Sequence, residues 1–278
     1  MISPARHAAP PYLSAELLSA IRTLIGGPVD VAVILGSGLG VFADSVDIIA
    51  VISADELPGY PRSTVPGHPG RLLLARSHGL RLLLFEGRVH GYEGHGHAET
   101  VLPASIAAAC HARLLLVTNA AGGLDPSFSA GDLMLITDLL VLPAARWMGR
   151  ALASATSSAP ALPRPLFDQA LLARMRDAAS EARVMLREGT YGYCSGPTYE
   201  TRAEISFFRL AGAQAVGMST APEILTAIRS ALPVLALSCI TNVARTVPQQ
   251  VTHEEVTQIA NRTSERLQLL LHSFLRRM

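Results

Sequence analysis

Short β-rich runs alternate with helical patterns along this chain of 278 residues, and that alternation constrains its fold more than any other feature. Strands that alternate with helices are typical of α/β proteins, in which helices cover a sheet. The predicted strands span residues 29–35, 71–75, 81–86, 114–118, 133–137, 214–217 and 234–241. The predicted helices span residues 14–24, 99–111, 168–182, 202–211, 222–231 and 253–277.

The connection between the second and third predicted strands is the short segment Ser77-His78-Gly79. A parallel pair needs a crossover of about a dozen residues or more, so these two strands are predicted to form an antiparallel hairpin. The sheet is therefore expected to be mixed. The chain shows no repeat period and no shift in composition, so we predict a single α/β domain over residues 1–278.

The composition argues against several classes of protein. Lys and Arg number 23 against 22 Asp and Glu, with no basic run, whereas nucleic-acid binding needs clustered basic residues. The chain has neither the apolar stretch of a secretory signal nor the roughly 18 apolar residues of a membrane span. We therefore expect a cytoplasmic protein with no nucleic-acid or membrane partner. Its three cysteines lack metal-ligand spacing and are expected to be buried, reduced thiols.

A glycine-rich turn, Gly36-Ser37-Gly38-Leu39-Gly40, follows the first predicted strand. Its third glycine comes one residue too early for the dinucleotide fingerprint G-x-G-x-x-G, which argues against a nucleotide-binding oxidoreductase. The backbone amides of such a turn, together with the Ser37 hydroxyl, can surround an anion. A tight strand exit also needs glycine, so this motif alone leaves both interpretations open.

Arg88 and His90 follow the predicted hairpin and alternate along the chain, so their side chains should point to the same side. Arginine offers a planar fork of donors and histidine a further donor, a combination suited to a phosphate dianion. A single histidine among nine is usually a surface or core residue. Tyr92 and Glu93 lie within the same six residues, and this density indicates a binding site.

Four further motifs lie at predicted strand ends or helix starts: VTNAAGGL (117–124), GPTYETRAE (196–204), AVGMSTAPE (215–223) and ITN (240–242). Thr201 and Glu204 form a capping box that leaves Glu200 one residue outside its helix. Pro222 suits a first helical turn, so the amides near residues 219–221 should be available to an anion. Each motif alone also fits a packed turn or a helix cap. Because ligand sites of α/β sheets gather at such edges, their joint occurrence favours one shared site.

Together with STVPGHPG (63–70), these motifs resemble the trimeric class of purine nucleoside phosphorylases, in the same order from about residue 31 to residue 256. The resemblance implies a mixed, partly barrel-like β-sheet surrounded by helices, a homotrimer, and no metal or organic cofactor. It also implies the reaction. Inorganic phosphate, as co-substrate, would cleave the N-glycosidic bond of a purine nucleoside to give the free base and a pentose 1-phosphate.

The resemblance assigns twelve residues of this chain to the site. It implies phosphate binding by Ser37, His68, Arg88, His90, Ala120 (through its amide) and Ser219. It implies sugar contacts by Tyr92, Met218 and His253, and base contacts by Tyr199, Glu200 and Asn242. His90, Glu200 and Asn242 would be the catalytic residues. Tyr199 stands where relatives often have Phe, and the segment before His253 departs from the relatives.

The chemistry of the reaction is consistent with those roles. The phosphate dianion can stabilise the cationic sugar, so no pair of catalytic carboxylates is needed. Asn242 can hydrogen-bond purine N7 as that atom becomes basic in the transition state. An ionised Glu200 can accept the N1–H of hypoxanthine or guanine but faces a lone pair on adenine. We therefore expect inosine and guanosine, and their deoxy forms, as substrates.

Several alternatives remain open at this point. A 5'-methylthioadenosine phosphorylase would share the fold, but Glu200 and Asn242 argue against adenine. A xanthosine-accepting phosphorylase is compatible with the same residues, and a non-catalytic nucleoside-binding protein would not need Arg88 and His90.

In the related trimers a neighbouring subunit contributes an aromatic side chain. Here residues 150–166 form an Ala/Ser/Pro-rich segment, predicted to be a surface loop, with Leu162 near that position.

Overall fold

The computed structural model describes residues 13–65, 69–141, 162–243 and 253–278, and their side chains except those of 253–257 and 261. These residues form nine strands and seven α-helices. The strands are β1 (Val31–Leu35), β2 (Asp47–Ser53), β3 (Arg71–Ser77), β4 (Leu80–Glu86), β5 (Leu114–Gly123), β6 (Leu133–Val141), β7 (Leu186–Tyr193), β8 (Ala213–Gly217) and β9 (Val234–Val243). The helices are α1 (Ala15–Ile25), α2 (His97–Thr100), α3 (Leu102–Ala109), α4 (Gln169–Glu181), α5 (Arg202–Leu210), α6 (Ala221–Arg229) and α7 (His253–Arg276).

The nine strands form one sheet with the order β2-β3-β4-β1-β5-β8-β7-β6-β9, and β9 also pairs with β5. The pairing of β5 with β9 closes the last five strands into a barrel, whereas β2, β3, β4 and β1 extend from it as an open sheet. Strands β3 and β4 form the expected antiparallel hairpin, while β1 pairs in parallel with both β4 and β5. The predicted single α/β domain with a mixed, partly barrel-like sheet is confirmed.

Strand β5 is longer than predicted because it changes partners along its length. Residues 114–117 pair with β1. Beyond Thr118 the pairing with β9 continues, and Gly122 and Gly123 also pair with β8. The prediction that this strand ends at Thr118 is therefore wrong. The same pairing extends β9 to Val243, so Asn242 also lies on a strand.

The sequence-based predictions missed two strands, β2 and β7, and one break in a helix. Strand β2 lies at the sheet edge and exposes apolar side chains such as Ile49, so its burial does not alternate as the pattern requires. Strand β7 contains two glycines and the charged pair Arg187-Glu188, which weakens its β signal. The helix predicted over residues 99–111 is interrupted at Val101, and α3 begins with a proline in its first turn.

The core is mostly aliphatic. All five residues of β1 are buried, as expected for a parallel strand covered on both faces. Helix α7 buries Leu267, Leu271 and Phe274 and packs against α4 and β9. The described helices include none that is long and apolar enough to span a membrane.

Helix α5 begins with the predicted capping box. The Thr201 hydroxyl accepts from the Glu204 amide at 3.3 Å, and the Glu204 carboxylate accepts from the Thr201 amide at 2.7 Å. Both bonds satisfy amides that the helix itself leaves without partners. The cap also fixes the chain direction of Glu200, the residue that precedes it.

Loss of this cap should lower stability by an amount typical of helix caps. We expect Thr201→Ala to lower the free energy of unfolding by about 1 kcal/mol. Urea denaturation measures this change. Thr198→Ala, the same substitution three residues earlier and outside the helix, is the matched control and should change it by less than about 0.5 kcal/mol. Equal losses in the two variants would mean that the cap contributes no specific stability.

Candidate active site

Ten of the twelve predicted site residues line one cleft, which holds about 710 Å³ of space when its open mouth is included. The ten are Ser37, Arg88, His90, Tyr92, Ala120, Tyr199, Glu200, Met218, Ser219 and Asn242. His68 lies outside the described residues. His253 is the first residue of α7, and its side chain is not described.

The floor of the cleft is a close approach between β5 and the turn that follows β1. The Gly36 amide donates to the Thr118 hydroxyl at 3.1 Å, and that hydroxyl donates to the Ile34 carbonyl at 3.0 Å. A Cβ atom on Gly36 would lie 2.7 Å from the Thr118 carbonyl oxygen. Gly38 has φ +71°, a conformation that favours glycine. The two glycines therefore allow the turn carrying Ser37 to lie directly against β5.

Arg88 is a buried cation whose guanidinium is held from several sides. Its Nη1 donates to the Glu223 carboxylate at 2.7 Å and to the Thr220 hydroxyl at 3.0 Å, and its Nη2 donates to the Thr118 carbonyl. The side chains of Arg88 and Glu223 are both 2% exposed. A buried charge needs such compensation. Sequence analysis did not find Glu223, although a buried arginine calls for an acidic partner.

His90 is oriented by Glu93. One Glu93 oxygen accepts from the His90 amide at 2.7 Å and lies 2.9 Å from the His90 Nδ1 atom. The other accepts from the Thr64 amide at 2.6 Å. Burial by itself would raise the pKa of Glu93, but the hydrogen bonds from Thr64 and His90 outweigh it and lower the pKa to about 2. The ionised Glu93 thus fixes the imidazole and ties it to the 63–65 segment.

The start of α6 contributes a network of hydroxyl groups to the cleft. The Thr220 hydroxyl accepts from Arg88 Nη1 at 3.0 Å and from the side-chain amide Nδ2 of Asn119 at 2.9 Å. These two bonds use both lone pairs of the hydroxyl oxygen. Its own proton is therefore directed to Ser219 Oγ, 3.2 Å away. The Ala221 amide donates to the Ser219 carbonyl at 2.8 Å. This bond occupies the Ala221 amide, so for that member of the predicted 219–221 amides the prediction is wrong.

Aromatic side chains and Met218 surround the middle of the cleft. The rings of His90 and Tyr92 stack with centroids 4.8 Å apart and an interplanar angle of 14°. Burial, with a smaller contribution from the Glu93 charge, raises the pKa of Tyr92 to about 12, so its hydroxyl stays protonated. Tyr199 is half-exposed at the mouth of the cleft. These groups can supply apolar contacts and hydroxyl donors to a ligand.

Glu200 and Asn242 lie in the same cleft, each engaged by a neighbouring side chain. The Thr241 hydroxyl donates to Asn242 Oδ1 at 3.2 Å, which orients the Asn242 amide. Burial raises the pKa of Glu200, and hydrogen bonds from its own amide and from the Cys194 thiol oppose that rise. Burial, then the Glu200 charge, raises the pKa of the Cys194 thiol to about 12. No sequence signal identified Cys194, which is half-buried rather than buried as predicted.

Comparison with known proteins agrees with this geometry. Residues 30–276 match the family model described as the phosphorylase superfamily. The chain belongs to that superfamily. Purine nucleoside phosphorylase 1 of Geobacillus stearothermophilus is 39% identical over 233 residues, which cover 82% of this chain and 84% of that protein. The purine nucleoside phosphorylase of Bos taurus is 37% identical over 86% of this chain and 85% of its own length. This member of the superfamily is thus an enzyme with purine nucleoside phosphorylase activity.

A similar solved structure is Schistosoma purine nucleoside phosphorylase in complex with hypoxanthine. It has a TM-score of 0.84 and 29% sequence identity, with 95% of this chain and 96% of that chain covered. Structures of the Schistosoma mansoni enzyme in complex with adenosine and with inosine also match, with TM-scores of 0.84 and 0.83. The phosphorylase described here therefore shares its fold with enzymes of this name.

The contact between Cys194 and Glu200 predicts a pH dependence for this phosphorylase. If the ionised carboxylate accepts a base N–H, turnover of inosine falls as the pH falls through the Glu200 pKa. Cys194→Val removes a hydrogen bond that favours the charged form, so the Glu200 pKa rises. We expect the acid limb of the kcat/KM profile to move to higher pH by about 0.5–1 unit.

Cys194→Ser is the matched control for this experiment, because its hydroxyl can donate the same bond. The acid limb of the serine variant should stay within about 0.3 unit of the wild-type limb, a difference of less than half a kcal/mol. Identical profiles for the valine variant and the wild type would show that the thiol does not influence Glu200.

Proposed function

We propose that this enzyme cleaves 6-oxopurine nucleosides, inosine and guanosine and their deoxy forms, with inorganic phosphate. The observation that carries the proposal is the presence, in one cleft, of the oriented Arg88–His90 pair and of a carboxylate and an amide, Glu200 and Asn242. The products are the free base and a (deoxy)ribose 1-phosphate. The reaction needs no metal or organic cofactor, because phosphate is itself the nucleophile.

The phosphate subsite in this proposal consists of Ser37, His68, Arg88, His90, the Ala120 amide and Ser219, of which His68 lies outside the described residues. Support comes from the hydrogen bonds that hold these groups before any ligand is bound: Glu93 orients His90, and Thr220 links Arg88 to Ser219. Donors fixed in advance lose little freedom when an anion binds. Tyr92, Met218 and His253 would contact the sugar between this subsite and the base.

The base subsite in this proposal consists of Tyr199, Glu200 and Asn242. Negative charge develops on the purine as the glycosidic bond breaks, and the Asn242 amide would stabilise it at N7 more strongly than in the ground state. Glu200 would accept the N1–H of hypoxanthine or guanine. The similar Schistosoma mansoni enzyme is seen with both inosine and adenosine, so similarity to it does not favour 6-oxopurines. The proposed preference for 6-oxopurines rests instead on the ionised carboxylate of Glu200.

Two variants of Glu200 test the proposed base preference. Glu200→Ala should lower kcat/KM for inosine by about 10²-fold or more, since it removes a charge-assisted hydrogen bond. Glu200→Gln keeps the shape but can donate to the bare N1 of adenine, so its ratio of inosine to adenosine activity should fall by at least about tenfold. Hypoxanthine and adenine release are measured with and without phosphate.

The KM for phosphate is the internal control and should stay within about threefold of wild type in both variants. Unchanged inosine cleavage by Glu200→Ala would contradict the base assignment. Release of hypoxanthine that does not depend on phosphate would contradict phosphorolysis itself.

We further propose a homotrimer, as in the trimeric class that the sequence resembles. Leu162, near the position of the neighbouring aromatic residue in that class, is 40% exposed, whereas Phe167 is buried in the core and unavailable to a second subunit. Most of the 150–166 segment, predicted to be a surface loop, lies outside the described residues.

Light scattering at micromolar concentration should give three times the chain mass of 29.4 kDa. Leu162→Phe should lower the KM for inosine, because an added aromatic ring increases the apolar area buried against the sugar. A monomer would contradict the assembly. An unchanged KM in a trimeric variant would mean that another residue makes this contact.

A further inference from the structure

Glu223 touches the predicted phosphate site only through Arg88. Its Oε2 accepts from Arg88 Nη1 at 2.7 Å, and both side chains are 2% exposed. Arg88 lines the ligand cleft and Glu223 does not. Glu223 instead lines a small neighbouring space with Thr220 and Pro222, and Arg88 lines both spaces. The carboxylate therefore holds the arginine without lining the ligand cleft itself.

The pair is difficult to explain by stability alone. A buried ion pair often contributes no more to stability than apolar side chains of the same volume. The second Glu223 oxygen, Oε1, is buried and has no hydrogen-bond partner among the described residues. An acceptor left in this state costs free energy. A carboxylate kept at this cost, and directed at one cleft residue, points to a role in that cleft.

The surrounding contacts show what that role requires. Three acceptors from β5 and from the start of α6 fix the guanidinium: the Thr118 carbonyl, the Thr220 hydroxyl and Glu223. Of these only Glu223 carries a charge. Thr220 has φ +75°, a conformation uncommon for a residue other than glycine. The backbone at this junction is thus strained in the arrangement that brings both acceptors to Nη1.

We propose that Glu223 is a positioning residue, which holds the Arg88 guanidinium in the orientation that binds phosphate. The inference rests on the proposed phosphate role of Arg88. Burial raises the pKa of Glu223 and the Arg88 charge opposes that rise. Paired with Arg88, the ionised carboxylate places a negative charge close to the site, which repels a phosphate dianion. Orientation and repulsion act in opposite directions on phosphate affinity, so a test has to separate them.

Glu223→Met and Glu223→Gln separate the two effects. Both variants are neutral and have nearly the same length, but only glutamine keeps an oxygen that can accept from Arg88 Nη1. Because a hydrogen bond to a charged group is lost only in the methionine variant, its KM for phosphate should be about tenfold or more above that of the glutamine variant. Hypoxanthine affinity, measured by calorimetry without phosphate, should be the same in both.

Glu223→Asp provides a second arm if the methionine variant does not fold. The charge remains, but the shorter side chain moves the carboxylate away from the Arg88 guanidinium by more than about 1 Å. A displacement of this size at a binding group is costly, so the KM for phosphate should rise several-fold. Thr226→Val, on the same helix one turn later and outside the cleft, controls for general damage to α6 and should leave the KM unchanged.

The same substitutions in an Arg88→Ala background complete the test. If Glu223 acts through Arg88, the KM ratio of the methionine and glutamine variants falls to about one there. An unchanged phosphate KM in Arg88→Ala alone would overturn the phosphate assignment and this inference with it. Suppose that Arg88→Ala does raise the KM for phosphate. Equal KM values for Glu223→Met and Glu223→Gln, or a wild-type KM for Glu223→Asp, would then overturn the positioning role of Glu223 alone.

Discussion

Strand β5 belongs to both halves of the sheet, and the cleft depends on this sharing. Its first residues pair with β1 of the open sheet and its last residues pair with β8 of the barrel, while β9 pairs with it from Leu115 to Gly123. The turn after β1 can then lie against Thr118 and Asn119, because Gly36 has no side chain. In the proposed site Ser37, Arg88 and His90 follow strands of the open sheet, whereas Ala120, Ser219 and the base-binding residues lie on or follow strands of the barrel. The point where β5 changes partners brings them together.

Acidic side chains orient the basic groups of the cleft. Glu93 holds His90, and Glu223 holds Arg88, in both cases through oxygens 2.7–2.9 Å from the nitrogen atoms. Each pair is buried, so its attraction is weakly screened by solvent and its geometry is well defined. Anion binding by such a site depends on donors fixed in direction more than on net positive charge. This agrees with a chain whose formal net charge is only +1.

The base end of the cleft has a different physical character. Glu200 lies in a largely desolvated position, and burial moves its pKa upward, toward the neutral acid. The Cys194 thiol, half-buried beside it, acts against that shift. Discrimination between 6-oxo and 6-amino purines would therefore depend on which protonation state the surroundings favour. A thiol with a pKa raised to about 12 remains a donor and does not compete as an anion.

The sequence by itself determined the α/β class, the hairpin, the capping box of α5 and the residue types of the cleft. These follow from local periodicity, short connections and motifs in which neighbouring residues act together. Tertiary structure alone decided that Ala120 and Asn242 lie on strands, since barrel closure supplies partners far away in the chain. It also decided the contacts of Glu223 with Arg88 and of Cys194 with Glu200. Those pairs are 135 residues and six residues apart, and no periodic pattern relates their side chains. The packing of α6 brings Glu223 within hydrogen-bond distance of Arg88, and the β7–α5 loop places Cys194 near enough to influence the pKa of Glu200.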